Sequence, residues 1–174
     1  MFVARFARGW AMAAEGRGDE GITEMRQSIS DPMFAESSFI PQMLVALAEA
    51  CGKNGRAKGG FDLVASGLAT AKQTGQTLAE AELHRVKGEL IMIKDPGKVA
   101  EAERCLRTAI DAARRQDARL FELRASVSLA RLLRNTSRRD EARTMLTEIY
   151  NWFTEGFDTA DLKEAKALLE ELAT

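Results

Sequence analysis

Apolar and small residues recur along this chain at helical spacing, and the small ones fall into register from one segment to the next. Residues 120–150 show it best. Leu129-Ala130 and Leu133 mark one helix, then Ala142, Leu146 and Ile149 mark the next, with the two alanines twelve positions apart. The register returns at Leu47-Ala48, Cys51, Gly60, Val64 and Gly67, and again at Gly9, Met12, Gly21, Met25 and Ser28. A further copy, with two extra loop residues, is Gly88, Ile91, Ala102, Leu106 and Ala109. A small residue at a crossing lets two helix axes approach closely, and helix pairs repeated at a fixed period bury their faces on one another as a solenoid. The repeat offsets here, 39, then 40 to 42, then about 42 residues, make these stretched repeats.

Breakers divide the pattern. Gly16-Arg17-Gly18 stops a first helix of about 2–15, and Asp31-Pro32 ends a second of about 19–30, because a residue before proline is pushed out of the helical region. Pro41 suits the first turn of a third helix running to Gly52, with Ser37 and Ser38 as caps upstream. Lys53-Asn54-Gly55, Gly75 and Asp95-Pro96-Gly97 are the next turns, so helices are expected over about 56–73, 78–93 and 99–116. Two more follow over about 120–134 and 140–153. After Gly156, Asp158-Thr159 reads as the cap of a last amphipathic helix whose apolar face is Leu162, Ala165, Leu168, Leu169 and Leu172. The expected fold is all-α: a right-handed superhelix of about four antiparallel helix pairs (about 1–31, 34–75, 77–117 and 118–153) and a C-terminal capping helix of about 158–173, in one domain.

The repeat pattern resembles tetratricopeptide (TPR) repeats, best over 120–150; glycines stand at 60 and 67 where alanine is usual, and the early aromatic is missing from most copies. The stretch Ala81-Glu82-Leu83-His84-Arg85-Val86-Lys87-Gly88-Glu89-Leu90 and the C-terminal run 128–133, 139–143 and 150–165 resemble, more specifically, the C-terminal helical tail of bacterial adenylate/guanylate cyclase–STAND ATPase signalling proteins. That resemblance implies a regulatory or sensor tail as the alternative to a free-standing scaffold. It carries over no catalysis. Cys51-Gly52-Lys53-Asn54 and Ala57-Lys58-Gly59-Gly60 lack the Gly-Lys-Ser/Thr ending of a P-loop and follow helices rather than a strand.

Composition narrows the classes. The 174 residues carry a net charge of −1, which gives no global field for nucleic acid or an anionic membrane. Apolar runs are too short to span a bilayer, and arginines interrupt the N-terminal segment where a signal peptide would be apolar. Two lone cysteines, Cys51 and Cys105, suit a reducing, cytoplasmic compartment. His84 is the sole histidine, which excludes a His-based triad or a multi-His metal site. The carboxylate pairs Glu80/Glu82, Glu101/Glu103 and Glu170/Glu171 point to different helix faces and make no acid/base dyad. No enzyme, cofactor or metal is expected.

Charge is patterned locally. Residues 104–143 hold eleven arginines (104, 107, 114, 115, 119, 124, 131, 134, 138, 139 and 143) against five acids, a local +6. Residues 144–174 hold two lysines against seven acids, a local −5. The basic stretch could grip phosphates, but the acidic end could equally pair with it and no aromatics interleave the arginines, so nucleic acid is not expected. The TPR register directs Phe6, Trp10, Glu49, Glu82, Arg85, Glu89, Arg124, Arg131 and Arg134 toward a concave groove that grades from aromatic to basic. Two readings of these charges stay open: a surface network that satisfies itself, or a groove for a protein or peptide partner. The second, with Arg124, Arg131 and Arg134 as donors, favours an acidic segment. Phe2, Phe6 and Trp10 recur every four residues as an aromatic stripe on the opening helix. Unless that stripe folds into the first repeat's own core, it predicts a homodimer.

Overall fold

The computed structural model describes residues 2–30, 39–75 and 77–174, the side chain of Phe2 excepted. The Phe2 part of the aromatic stripe and the Ser37/Ser38 caps therefore lie outside the described residues. Nine helices follow one another among those described: α1 (Phe2–Ala14), α2 (Gly18–Ile29), α3 (Ile40–Lys53), α4 (Ala57–Thr74), α5 (Glu80–Lys94), α6 (Val99–Arg115), α7 (Arg119–Asn135), α8 (Arg139–Tyr150) and α9 (Ala160–Ala173). A 3₁₀ turn, Thr77–Ala79, leads into α5. Helices α1/α2, α3/α4, α5/α6 and α7/α8 form four pairs. The first helix of each pair also packs on the first helix of the next, and α9 packs on α7 and α8 as a cap.

Four of the described turns share one mechanism. Gly16, Gly55, Asp117 and Ser137 take positive φ angles of 91°, 72°, 52° and 60°. This reversal lets the N–H of Arg17, Arg56, Ala118 and Arg138 donate to the carbonyl five residues back, closing the preceding helix with its own backbone. No side-chain hydrogen bond caps the start of α2 to α9. Thr159 stands at the N-cap of α9, but its hydroxyl donates to the Gly156 carbonyl at 2.7 Å instead of capping. Helix α8 also ends at Tyr150, three residues before the sequence pattern places its end. There the N–H groups of Trp152 and Phe153 turn to the carbonyls of Ile149 and Tyr150, tightening the chain out of the helix.

The small residues sit at the crossings. An added Cβ at Gly9 would lie 2.8 Å from the Gly21 carbonyl oxygen, and one at Gly60 or Gly88 would lie 3.2 Å from the carbonyl of Ala48 or Ala102. Ala130 and Ala142, the corresponding pair on α7 and α8, are fully buried. Replacing Ala130 with leucine should overpack this contact and cost about 1–3 kcal/mol. A melting temperature unchanged from wild type would show that the two helices do not meet there. The core runs in two large clusters, one through α1–α5 and one through α5–α9, with Phe61 packed against both, and a small third of Ala81, Ala112 and Ala113 between α5 and α6.

Phe6 corrects the expected aromatic stripe. It is 7% exposed and belongs to the core with Ile22 and Met25, whereas Trp10 is 53% exposed. On a helix four residues advance about 400°, so Phe6 and Trp10 are offset by roughly 40°, enough to put one against α2 and leave the other in solvent. Among the described side chains of α1, the exposed large apolar ones are Val3 and Trp10, seven positions apart and so on one face.

Candidate functional site

Stacking the first helices side by side leaves a groove of about 800 Å³ along their shared face. Trp10 of α1, Glu49 and Lys53 of α3, Arg85, Glu89 and Met92 of α5, Arg124, Val127, Ser128 and Arg131 of α7, and Asp161 and Glu164 of α9 line it. Of the residues assigned to the groove from sequence, the structure brings together Trp10, Glu49, Arg85, Glu89, Arg124 and Arg131. Phe6 lies in the core. Glu82 is buried behind Arg85 and Arg134 pairs with Glu171 of α9, and both lie outside the lining.

Arg85 is the hub. Its side chain is 8% exposed; Nε donates to Glu82 at 2.8 Å, one terminal nitrogen donates to Glu89 at 2.9 Å, and the other donates to Glu49 and to Glu82. Burial, the largest single influence, favours the neutral guanidine, but Glu89, Glu82 and Glu49 together outweigh it and hold the charge more firmly than usual. The network continues across the groove. The Ser128 hydroxyl donates to Glu89 at 2.6 Å, and Arg124 forks onto both oxygens of Asp161 at 2.8 and 2.9 Å. Arg124 also stands 3.5 Å from Glu82, and its hydrogen bond to Asp161 holds it the more firmly protonated. Arg131 pairs with Glu164.

The basic stretch is therefore largely answered within the chain. Arg107 and Arg138 form a four-membered lattice with Glu103 and Glu141 on the α6–α8 side, Arg114 and Arg119 both hold the buried Glu122, and Arg124, Arg131 and Arg134 hold α9. The expectation of an acidic ligand treats the last three as available donors; the structure gives each a carboxylate on the capping helix. Asp161, Glu164, Glu171 and Ser128 are the groove residues and their neighbours that the sequence register does not single out. A signal for them exists: the inter-helix partners are one repeat apart, 36 residues for Arg85–Glu49, 37 for Arg124–Asp161, 33 for Arg131–Glu164 and 39 for Ser128–Glu89.

His84 lies outside the groove lining, half-buried on α5. Burial pulls its pKa below 6.5; Glu80 opposes this, and Lys87 and Arg115 add to it. Because the folded state favours the neutral ring, its stabilising contribution is complete above the unfolded pKa of about 6.5 and is lost as pH falls through the folded value. Stability should therefore drop as pH falls below about 6.5, and His84→Gln should flatten that segment of the profile. Identical pH profiles for the two proteins would exclude the assignment.

No protein-family model and no curated protein matches the chain. Solved structures do. A thermophilic TPR protein of Thermus thermophilus superposes with a TM-score of 0.69 at 16% identity, over 99% of this chain and 81% of that one. The fold is TPR-like. A Podosopora anserina protein described as carrying nearly identical kinesin-light-chain TPR-like repeats gives 0.62 at 16% identity, over 97% and 83% of the two chains. A substituted form of that protein gives 0.61 at 17% identity, over 98% and 92%. In this TPR-like frame α1, α3, α5 and α7 are the first helices of successive repeats, and α9 stands where the first helix of a fifth would. That is why charges one repeat apart face each other. Among the described residues no helix is long and apolar enough to cross a membrane.

Proposed function

We propose that the chain is a non-catalytic protein-interaction scaffold that receives an extended segment of a partner along its concave groove. The observation that carries this reading is the groove itself: about 800 Å³, open between four repeats and the cap, with an exposed tryptophan and fixed charges on its wall. A TPR-like stack supplies such a surface without any moving part, because each repeat only has to hold its neighbours in place. Benzoylphenylalanine installed at Met92, in the groove, should cross-link a partner that the same group at Asp62, exposed on α4, does not. Equal cross-linking from both positions would refute the groove.

Exposure of Val3 and Trp10 on one face of α1 supports a second reading, self-association through the first repeat. Light scattering at micromolar concentration should then show a dimer, and Val3→Glu with Trp10→Glu a folded monomer. A wild-type chain that stays monomeric discards this reading. The likeness of 81–90, 128–133, 139–143 and 150–165 to cyclase–STAND ATPase tails supports a sensor role for the same groove within a larger cytoplasmic signalling protein.

A further inference from the structure

The charges of the groove are unevenly spent. Arg85, Arg124 and Arg131 each donate to carboxylates of this chain, and Arg85 is almost out of reach of solvent. An anionic ligand would have to displace Asp161 and Glu164, which are tethered to the same molecule and so compete at high effective concentration. The carboxylates exceed the cations by one: Glu49, Glu89, Asp161 and Glu164 in the lining and Glu82 behind Arg85 face Arg85, Arg124, Arg131 and Lys53. Four of the five acids, Glu49, Glu82, Glu89 and Asp161, are bonded to just two guanidiniums, Arg85 and Arg124. Glu49 and Glu89 each use a single oxygen in these contacts; the second accepts no hydrogen bond among the described residues, and both side chains are partly open to the groove. Lys53 lines the end of the groove one helical turn beyond Glu49, and offsets part of the excess there from an exposed position. Trp10 adds an exposed indole to the wall of the same groove, a surface that attracts a cation through its ring face.

We propose that the groove selects its partner by a basic anchor: an arginine or lysine side chain of an extended peptide, received by Glu49 and Glu89 with the indole of Trp10 beside it. This rests on the reading of the groove as a peptide site. It reverses the sign of ligand that the arginine-rich sequence of α7 suggests, since those arginines hold the capping helix. Guanidinium suits the site best, because it forks onto carboxylate oxygens and stacks on an aromatic face at once.

The test uses the full chain and four pools of nonapeptides whose central residue is fixed as Arg, Lys, Ala or Glu, the other positions being randomised over neutral residues. Fluorescence polarisation of labelled pools should show the Arg and Lys pools binding at least about tenfold tighter than the Ala pool, the Glu pool weakest, and the preference shrinking as salt rises. Glu49→Gln with Glu89→Gln should abolish the preference, and Trp10→Ala, which leaves the ion-pair network intact, should weaken the Arg pool several-fold. If the double variant fails to fold by circular dichroism, Glu49→Gln alone and Trp10→Ala decide the matter. Equal binding of the Arg, Ala and Glu pools, or a preference for Glu, overturns the basic anchor while leaving the peptide groove standing. Failure of every pool to bind overturns both.

Discussion

Arg85→Ala should destabilise the protein by about 3–5 kcal/mol, the range for breaking a buried ion pair by removing one partner. Glu82 is the reason. Its side chain is 7% exposed and both its oxygens accept from Arg85, so without that guanidinium it keeps only Arg124 at 3.5 Å to offset its lost hydration. Glu49 and Glu89 are more open and can turn to water. Arg85→Met combined with Glu82→Leu should therefore recover most of the loss, because it removes the stranded charge together with its partner and fills the volume. Urea titrations of the single and paired variants measure both quantities. A single variant within about 1 kcal/mol of wild type, the worth of a surface pair, would show that Arg85 and Glu82 are solvated in solution.

The helices of this protein are legible in its sequence, because period and breakers act locally. Gly16, Gly55 and Gly75 mark three turns outright, and Ser137 marks one less plainly because it takes a positive φ angle that glycine usually fills. The crossings are legible too, since Gly9/Gly21, Gly88/Ala102 and Ala130/Ala142 announce close approach by size alone. The site is only half legible. The repeat register brings Trp10, Glu49, Arg85, Glu89, Arg124 and Arg131 to one groove, but charge along the chain does not say which charges are left over. The +6 segment reads as a basic surface until α9 folds back along α7 and places Asp161, Glu164 and Glu171 against Arg124, Arg131 and Arg134. Phe6 differs for a rotational reason: an i, i+4 stripe drifts around the helix, and a few tens of degrees separate core from solvent at the edge of α1.

Gly21→Ala should cost about 3 kcal/mol, the upper end for overpacking a core contact, although alanine is the better helix former. The added Cβ would collide with the carbonyl oxygen of Gly9 and lie 2.6 Å from the backbone nitrogen of Ala13. Neither is a side chain that can rotate aside, so α1 must move as a body, withdrawing Phe6 from Ile22 and Met25. Gly59→Ala is the matched control on α4. There the new methyl meets only the terminal nitrogen of Arg26, at 3.2 Å, and a flexible arginine gives way easily. Its removal of a glycine from a helix should add up to about 1 kcal/mol instead. Because α1 packs mainly on α2, the Gly21 variant should lose hydrogen-exchange protection first in α1 while α5 to α9 keep theirs. If Gly21→Ala and Gly59→Ala melt together, α1 and α2 do not cross backbone to backbone, and the small-residue register that defines the repeats fails at its first copy.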